Sequence, residues 1–170
     1  VSQASERMKG EPGSELKLKV KKIRSGEVED VLLERERIHV SDVVYYGMVH
    51  DTIGYIQIGG FTLYGSRDVK RAFDDLKGNG QMQRLILDLR GNGGGLMSEA
   101  VDIVSLFVPK GTLVVSQRGK APRMNEEFRT TTDPLDTEMP IMVLVNSGSA
   151  SSSEIVAGAL QDLDRAVVAG

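Results

Sequence analysis

With 170 residues, of which 40% are hydrophobic and 26% charged, the sequence is the right size for one folded domain with a small appendage. Its formal net charge of -3 gives no reason to expect nucleic acid or an anionic membrane as a partner. Cysteine is absent, which excludes disulfides and thiolate metal sites, and two separated histidines (His39 and His50) argue against zinc. We therefore expect neither a metal nor another cofactor.

The first 38 residues predict a β-hairpin that follows the end of a helix. Residues 15–23 alternate apolar and lysine side chains, which is the period of a strand with one buried and one solvated face. A turn at Ser25-Gly26 leads into a second strand over residues 28–38. Because that return strand is rich in acidic residues, we expect cross-strand ion pairs rather than a basic binding patch.

From residue 39 onward, strand and helix patterns alternate. Apolar residues recur at helical spacing between Ser66, the expected N-cap, and Gly78, the expected stop. Short, continuously apolar runs are typical of strands buried on both faces, and their alternation with helices predicts an α/β fold with a mostly parallel sheet. In chain order we predict strand 53–58, helix 66–78, strand 84–90, helix 96–108, strand 111–117, a polar surface loop over 118–138, strand 140–146, a helix that follows a serine cluster, and a strand from residue 165.

Two junctions between a strand and a helix carry unusual residues, and the first is "LDLRGNGGGL", residues 87–96. Its four glycines in five positions allow positive φ and close approach of another chain, and the following helix start presents N–H groups to an anion. The spacing fits neither a dinucleotide-binding loop, because Leu96 stands where a glycine is needed, nor a phosphate-binding P-loop. A tight turn with glycines that serve packing alone remains open at this point.

The second junction is "NSGSASSSEIVAGALQD", residues 146–162, with five serines followed by a predicted helix. Serines at a helix start are usually N-caps, and that interpretation also remains open. On a helix of 3.6 residues per turn, however, Ser151 and Asp162 fall within roughly 20° of each other, with Glu154 a little to the side. A serine hydroxyl at the positive end of a helix is a setting that favours an alkoxide or an adjacent oxyanion.

Together these motifs resemble the C-terminal processing peptidases, or tail-specific proteases, whose protease core has a ClpP/crotonase-like α/β fold. The matching text is "GYIQIGGF", "LILDLRGNGGGLMSEAVDIVSLFVPKG" and "PIMVLVNSGSASSSEIVAGALQDLDRAVVAG", in that order. The family has proline where this chain has Gly93. The resemblance covers about residues 40–170 and implies a protease core over 39–170, incomplete at its C-terminus. Residues 1–38 resemble the later part of a PDZ domain, without its peptide-binding strand.

The resemblance also assigns roles to individual residues. It implies that Ser151 is the nucleophile and that the backbone N–H groups of Gly94, Gly95 and Ser152 bind the oxyanion. Glu154 and Asp162 match acidic positions of the family, and we expect them to organise the site rather than to act as the base. The remaining serines of the cluster, Ser149 and Ser153 together with the side chain of Ser152, are expected to be structural.

The proton acceptor is missing from these residues. The family resembles the Ser-Lys variant of the catalytic triad, in which a buried lysine of lowered pKa takes the serine proton. That lysine is expected roughly two dozen residues after the serine, in a Gly-Lys-Gly loop, and the sequence stops short of it at Gly170. Lys110 and Lys120 match no family position, and we expect them, like the two histidines, to be surface or structural residues.

The resemblance implies a serine endopeptidase that cleaves polypeptides near nonpolar C-termini through an acyl-enzyme. We expect this chain alone to be inactive without the lysine, and we expect a periplasmic or envelope location with peripheral association to the cell envelope. The alternative is a non-catalytic binding or scaffold module on the same fold. A crotonase-like acyl-thioester enzyme would share the fold and the paired amides but does not account for the serine-glutamate string.

Overall fold

A computed structural model describes residues 6–38, 40–78, 80–121 and 125–170, and it divides the chain into two compact units, Val1–Val40 and Ser41–Gly170. His39, which we expect to be a surface or structural residue, lies outside the described residues. Within the described residues, no helix has the length and apolar character needed to cross a membrane. The predicted boundary after residue 38 lies two residues before this division.

The first unit is the predicted hairpin. Strands β1 (Glu15–Lys21) and β2 (Val28–Glu34) pair antiparallel in a two-stranded sheet. Lys19 lies opposite Asp30, and Lys22 forms an ion pair with Glu29 at 2.8 Å, but Lys17 lies opposite Leu32. The expected cross-strand ion pairing is therefore only partial. Such exposed pairs contribute at most about 1 kcal/mol each.

The second unit is a five-stranded sheet with three helices, and the predicted α/β class with a mostly parallel sheet is confirmed. The sheet order is β3-β4-β5-β8-β9, in which β3 and β4 are antiparallel and the other neighbours are parallel. The strands of the sheet are β3 (Val43–His50), β4 (Ile53–Ile58), β5 (Arg84–Asp88), β8 (Ile141–Leu144) and β9 (Ala166–Ala169). The helices are α1 (Gly65–Gly78), α2 (Met97–Ser105) and α3 (Ser152–Asp162).

One face of this sheet forms the hydrophobic core. Alternate residues of the central strands, such as Ile56, Leu87 and Val143, are completely buried and pack in one cluster with apolar residues of all three helices. Residues on the opposite face of the sheet, such as Met142 and Val167, are exposed. This period-2 pattern fixes which face the helices cover, because a shift of one residue would exchange the two faces.

Two local predictions are wrong. The polar segment 118–138 is not a loop throughout, because β7 (Glu126–Arg129) pairs antiparallel with β6 (Leu113–Gln117). Ser66 is not the N-cap of α1, since the helix begins at Gly65 and the Glu99 carboxylate from α2 accepts the N–H groups of both Tyr64 and Ser66. In both places a partner distant in sequence supplies the hydrogen bonds, so local patterns carry little information about them.

Candidate active site

The carboxyl ends of β4, β5 and β8 lie at one edge of the sheet because these strands are parallel. Three connecting segments leave this edge: the 59–65 loop after β4, the glycine loop (residues 89–96) after β5 and the serine loop (residues 145–151) after β8. The two motif-bearing junctions of the sequence are therefore neighbours in space. This edge is the candidate active site.

Asn92, which is 1% exposed, joins the end of β4, the glycine loop and the serine loop. Its side-chain amide donates to the carbonyl of Ile58 at 2.9 Å and accepts the N–H of Gly94 at 2.8 Å. Its own carbonyl accepts the N–H of Ala150 and the hydroxyl of Ser153, at 3.1 and 2.9 Å. Sequence reasoning missed this residue, although a lone amide between glycines directly after a buried strand was a usable sign.

Most of the serine hydroxyls hold the two loops together. Ser149 Oγ donates to the carbonyl of Leu89 at 2.8 Å, and Ser152 Oγ donates to the carbonyl of Gly95 at 2.9 Å. With the Ser153 contact to Asn92, three serines of the cluster thus bond to the backbone of the glycine loop. Their hydroxyls serve structure. Of the two remaining serines, Ser147 lies within the serine loop, and Ser151 stands at the start of α3 against Gly94.

Ser151 stands at the N-cap position of α3 with an unusual backbone conformation. Its φ is 55° and its ψ is -115°, a combination that costs a residue with a side chain about 1–3 kcal/mol. The residue is exposed, and the Glu154 carboxylate accepts its N–H at 2.6 Å. The positive end of the helix dipole and a strained turn thus coincide at one exposed hydroxyl, an arrangement suited to a nucleophile.

The glycine loop packs directly against this serine. Gly94 has a φ of 98°, and a Cβ added to it would lie 2.8 Å from the Cβ of Ser151 and 3.0 Å from the amide nitrogen of Ser152. A side chain at Gly94 would therefore push the serine loop away, which explains the glycine. A Cβ at Gly95 would collide with the carbonyl of Phe61 on the 59–65 loop.

The expected oxyanion donors differ in availability. The N–H of Gly94 is engaged by Asn92, as described above. The N–H groups of Gly95 and Ser152, in contrast, have no hydrogen-bond acceptor among the described residues. Gly95 follows Gly94 and Ser152 follows Ser151, the two residues in contact. The N–H groups of Gly95 and Ser152 are therefore open donors for an anion.

The two expected supporting carboxylates have different positions. Glu154 contacts the backbone of Ser151, but Asp162 ends α3 and is exposed. Eleven residues of helix separate Asp162 from Ser151 by about 16 Å along the axis. Their common angle on a helical wheel does not bring them together, and among the described residues Asp162 has no contact with the serine.

A buried carboxylate that sequence reasoning missed fixes the start of the glycine loop. Asp88, 1% exposed at the end of β5, accepts hydrogen bonds from Arg90 Nη2 and from the Tyr55 hydroxyl, both at 2.6 Å. Burial works to raise the pKa of Asp88, but the hydrogen bonds from Arg90 and Tyr55 outweigh it and hold that pKa below its usual range. Arg90 and Tyr55 thus hold the charged carboxylate of Asp88 in place. Their contacts also fix the direction of the chain after β5.

No lysine or histidine of the described residues is placed as a base. Every lysine of the sequence is exposed, including Lys110 and Lys120, so none has the desolvated amine that a Ser-Lys unit needs. His50 is exposed and lies opposite Ile53, at the amino edge of the sheet. The length of β4 puts it about 20 Å from the candidate site. The described residues also contain no group of three or more His, Asp or Glu residues arranged to hold a metal ion.

Comparison with known proteins agrees with this geometry. A family model described as peptidase family S41 matches residues 52–170. The chain belongs to peptidase family S41. It is 36% identical to the carboxy-terminal-processing protease of Bartonella bacilliformis over 173 residues, and 38% identical to the "Probable CtpA-like serine protease" of Staphylococcus aureus over 166 residues. The family resemblance predicted from the two strand-end motifs is thereby confirmed.

The S41 relatives are longer than this chain. The alignments cover 100% and 96% of the chain but only 39% of the Bartonella protein and 32% of the Staphylococcus protein. Among solved structures, the photosystem II D1 C-terminal processing protease aligns with a TM-score of 0.64 and 26% identity, over 94% of this chain and 44% of that one. The fold of the S41 peptidases is therefore present here.

Replacement of Asn92 by alanine should loosen the connection between the end of β4 and the glycine loop. We expect Asn92→Ala to lower the free energy of unfolding by about 3 kcal/mol, because the carbonyl of Ile58 and the N–H of Gly94 lose their partner. The measurement is urea denaturation. The matched control is Asn125→Ala. The side chain of Asn125 is exposed and its amide oxygen accepts the N–H of Gly119, and its replacement should change stability by less than about 0.5 kcal/mol. Equal losses in the two variants would contradict the central role of Asn92.

The Asp88 cluster predicts a pH dependence of stability. Because the pKa of Asp88 is lower in the folded state, its contribution is complete above the unfolded value of about 3.9 and is lost as the pH falls through the folded pKa. We expect Asp88→Asn to cost about 2 kcal/mol near neutral pH and to flatten the acid limb of the stability curve. Urea denaturation from about pH 7 down to about pH 2 tests this.

The control for the pH dependence is Asp74→Asn. Asp74 is an exposed carboxylate paired with Lys70 at 2.8 Å, and its replacement should change stability by less than about 1 kcal/mol. An acid limb that is as steep in Asp88→Asn as in the original protein would show that the pKa of Asp88 is not lowered on folding.

Proposed function

We propose that this chain carries the nucleophile and the oxyanion site of a serine endopeptidase that processes polypeptide C-termini. The observation that carries the proposal is the contact of Gly94 with Ser151, flanked by the open N–H groups of Gly95 and Ser152. A nucleophile at one strand end and anion-binding amides at the next are the two parts that acyl transfer needs in fixed relation. Membership of peptidase family S41 supports the same reaction class.

In the proposed reaction, Ser151 Oγ attacks the carbonyl carbon of a peptide bond while its proton passes to a base. The carbonyl oxygen becomes an oxyanion, which the N–H groups of Ser152 and Gly95 bind, with Gly94 in close support. Expulsion of the amine, which takes up a proton, leaves an acyl-enzyme on Ser151, and water then hydrolyses that ester. Glu154 positions Ser151 by accepting its N–H. Asp162 lies at the far end of α3 and has no role in this step.

We infer that the base is a lysine other than those of these 170 residues. The exposure of every lysine in the sequence supports this inference, because a Ser-Lys unit needs a desolvated amine. The substrates would be polypeptides with nonpolar C-termini, in the periplasm or at the cell envelope. The hairpin of the first unit would then be the last part of a PDZ domain.

Replacement of Ser151 should abolish cleavage. In the full-length native protein we expect Ser151→Ala to reduce kcat/KM on an unfolded protein substrate by at least about 10³-fold, because no acyl-enzyme can form. Ser147→Ala is the matched control, since Ser147 is an exposed serine of the same loop whose hydroxyl has no partner among the described residues. Its activity should stay within about twofold of the original.

Two outcomes would change the proposal. If Ser151→Ala still cleaves at the original rate, the nucleophile is another group. If the native protein binds polypeptides but cleaves none, the chain is a binding module on the peptidase fold, the alternative considered above.

The 170-residue chain alone tests the assignment of the base. We expect it to cleave unfolded protein at least about 10³-fold more slowly than the full-length native protein, since a nucleophile without its proton acceptor keeps little activity. The measurement is cleavage of the same substrate by equal molar amounts. Cleavage at the full rate would mean that one of the exposed lysines, or His50, does serve as the base.

A further inference from the structure

The three helices of the second unit cover one face of the five-stranded sheet and not the other. Apolar residues of all three helices pack in the same cluster as the inward-pointing residues of the strands. On the opposite face, one row of side chains crosses four neighbouring strands: Tyr55, Ile86, Met142 and Val167. Met142 is 39% exposed and Val167 is 64% exposed. The sheet surface that carries these four residues is named here the outer face.

The row on the outer face has the composition of a buried surface. None of its four residues is charged, and a groove of about 240 Å³ on this face is lined by Ile53 together with Ile86, Met142 and Val167. Parallel strands occur almost only in sheets that are covered on both faces, and here three of the four strand pairs are parallel. The outer face is therefore suited to contact with further polypeptide rather than with water.

The size of the outer face favours an occupant that belongs to the same chain. Five strands about 4.8 Å apart and about five residues long give a face of about 24 Å by 17 Å, or roughly 400 Å². A stable complex of separate chains buries about 800 Å² on each partner, so this face alone is too small for one. A tethered segment needs less area, because its effective concentration at the face is high.

The relatives contain further polypeptide of this kind. The aligned part makes up 39% of the Bartonella protein and 32% of the Staphylococcus protein. More than half of each relative therefore lies outside the region that this chain matches, which supports a segment of the native protein as the occupant.

A fixed guanidinium stands at the carboxyl edge of the outer face. The Tyr55 hydroxyl contacts Asp88 on this face, and Nε and Nη2 of Arg90 donate to the same carboxylate at 3.0 and 2.6 Å. The Arg90 side chain is still 52% exposed, and its Nη1 group makes no hydrogen bond among the described residues. A guanidinium that is held on one side and open on the other is pre-organised to bind an acceptor oxygen.

We propose that the outer face is the docking surface of a further segment of the same polypeptide, and that Arg90 holds this segment through a carboxylate or main-chain carbonyl oxygen. The apolar row supplies the contact area, and Arg90 fixes the segment at the carboxyl edge. Because Arg90 belongs to the glycine loop, docking also braces the loop in which Gly94 contacts Ser151. The docking does not depend on the proposed peptidase reaction.

The test measures cysteine labelling in the full-length native protein. The sequence contains no cysteine, so single substitutions report on chosen positions once any cysteine elsewhere in the native protein is replaced by serine. Leu163, which is 38% exposed at the end of α3, is the matched control for Met142. We expect a maleimide to modify Met142→Cys at least about tenfold more slowly than Leu163→Cys, each rate being divided by its rate in urea.

Two results of this labelling would overturn the proposal. Equal normalised rates at the two positions would show that nothing covers the outer face. Protection of Met142→Cys that is lost over an about hundredfold dilution would assign the face to a second copy of the chain, whereas a tethered segment protects it at every concentration. Labelling needs no cleavage, so failure of the docking and failure of the proposed function are distinguishable.

The role of Arg90 is tested against Asp88→Asn, because loss of Arg90 alone would leave a buried carboxylate without its partner. Asp88→Asn keeps the guanidinium, and its combination with Arg90→Gln removes it. We expect Met142→Cys to be labelled about tenfold faster in the combined variant than in Asp88→Asn, the effect of one lost hydrogen bond to a charged group, with Leu163→Cys unchanged. Both proteins are compared where circular dichroism shows them folded. Equal labelling of Met142→Cys in the two would overturn the assignment of Arg90.

Discussion

The candidate site depends on the hydrogen bonds of one buried amide, Asn92. Its side chain ties the end of β4 to the glycine loop, and its backbone carbonyl holds the serine loop. Since buried polar groups need partners, these contacts form together or leave unpaired groups behind. The proposed nucleophile and the proposed anion-binding amides are therefore placed relative to each other by one residue to which the proposal gives neither task.

Close approach of the two loops requires both a missing side chain and a strained serine. Gly94 leaves room for the backbone of Ser151 and Ser152, and Ser151 takes a φ of 55° at the first turn of α3. The strain is held by the Glu154 carboxylate on one side and by the three serine hydroxyls that bond the glycine loop on the other. Preorganised donors of this kind stabilise developing charge without reorganising during the reaction.

The sequence predicted the parts of this fold that depend on local patterns. Strand 53–58 and the helix after the serine cluster follow from periodicity, and the adjacency of the two loops follows from parallel strands. The capping of α1 by Glu99 and the pairing of β7 could not be predicted, because each depends on a partner many residues away. Ser151 and Asp162 have nearly the same angle on a helical wheel and yet lie far apart along α3, because the wheel gives an angle but not an axial distance.

If Ser151 is the nucleophile, as proposed above, its exposed position constrains what the base can be. A lysine amine can act as a base near neutral pH only when burial disfavours its charged form. Ser151 is exposed, and so is every lysine of the sequence. In the reaction proposed above, the segment that brings the lysine must therefore also bury its amine beside the serine. Such a covering element would lower the lysine pKa, exclude water from the oxyanion and strengthen the bonds from Gly95 and Ser152. Under that proposal, the supply of the base and the closure of the site are a single structural requirement.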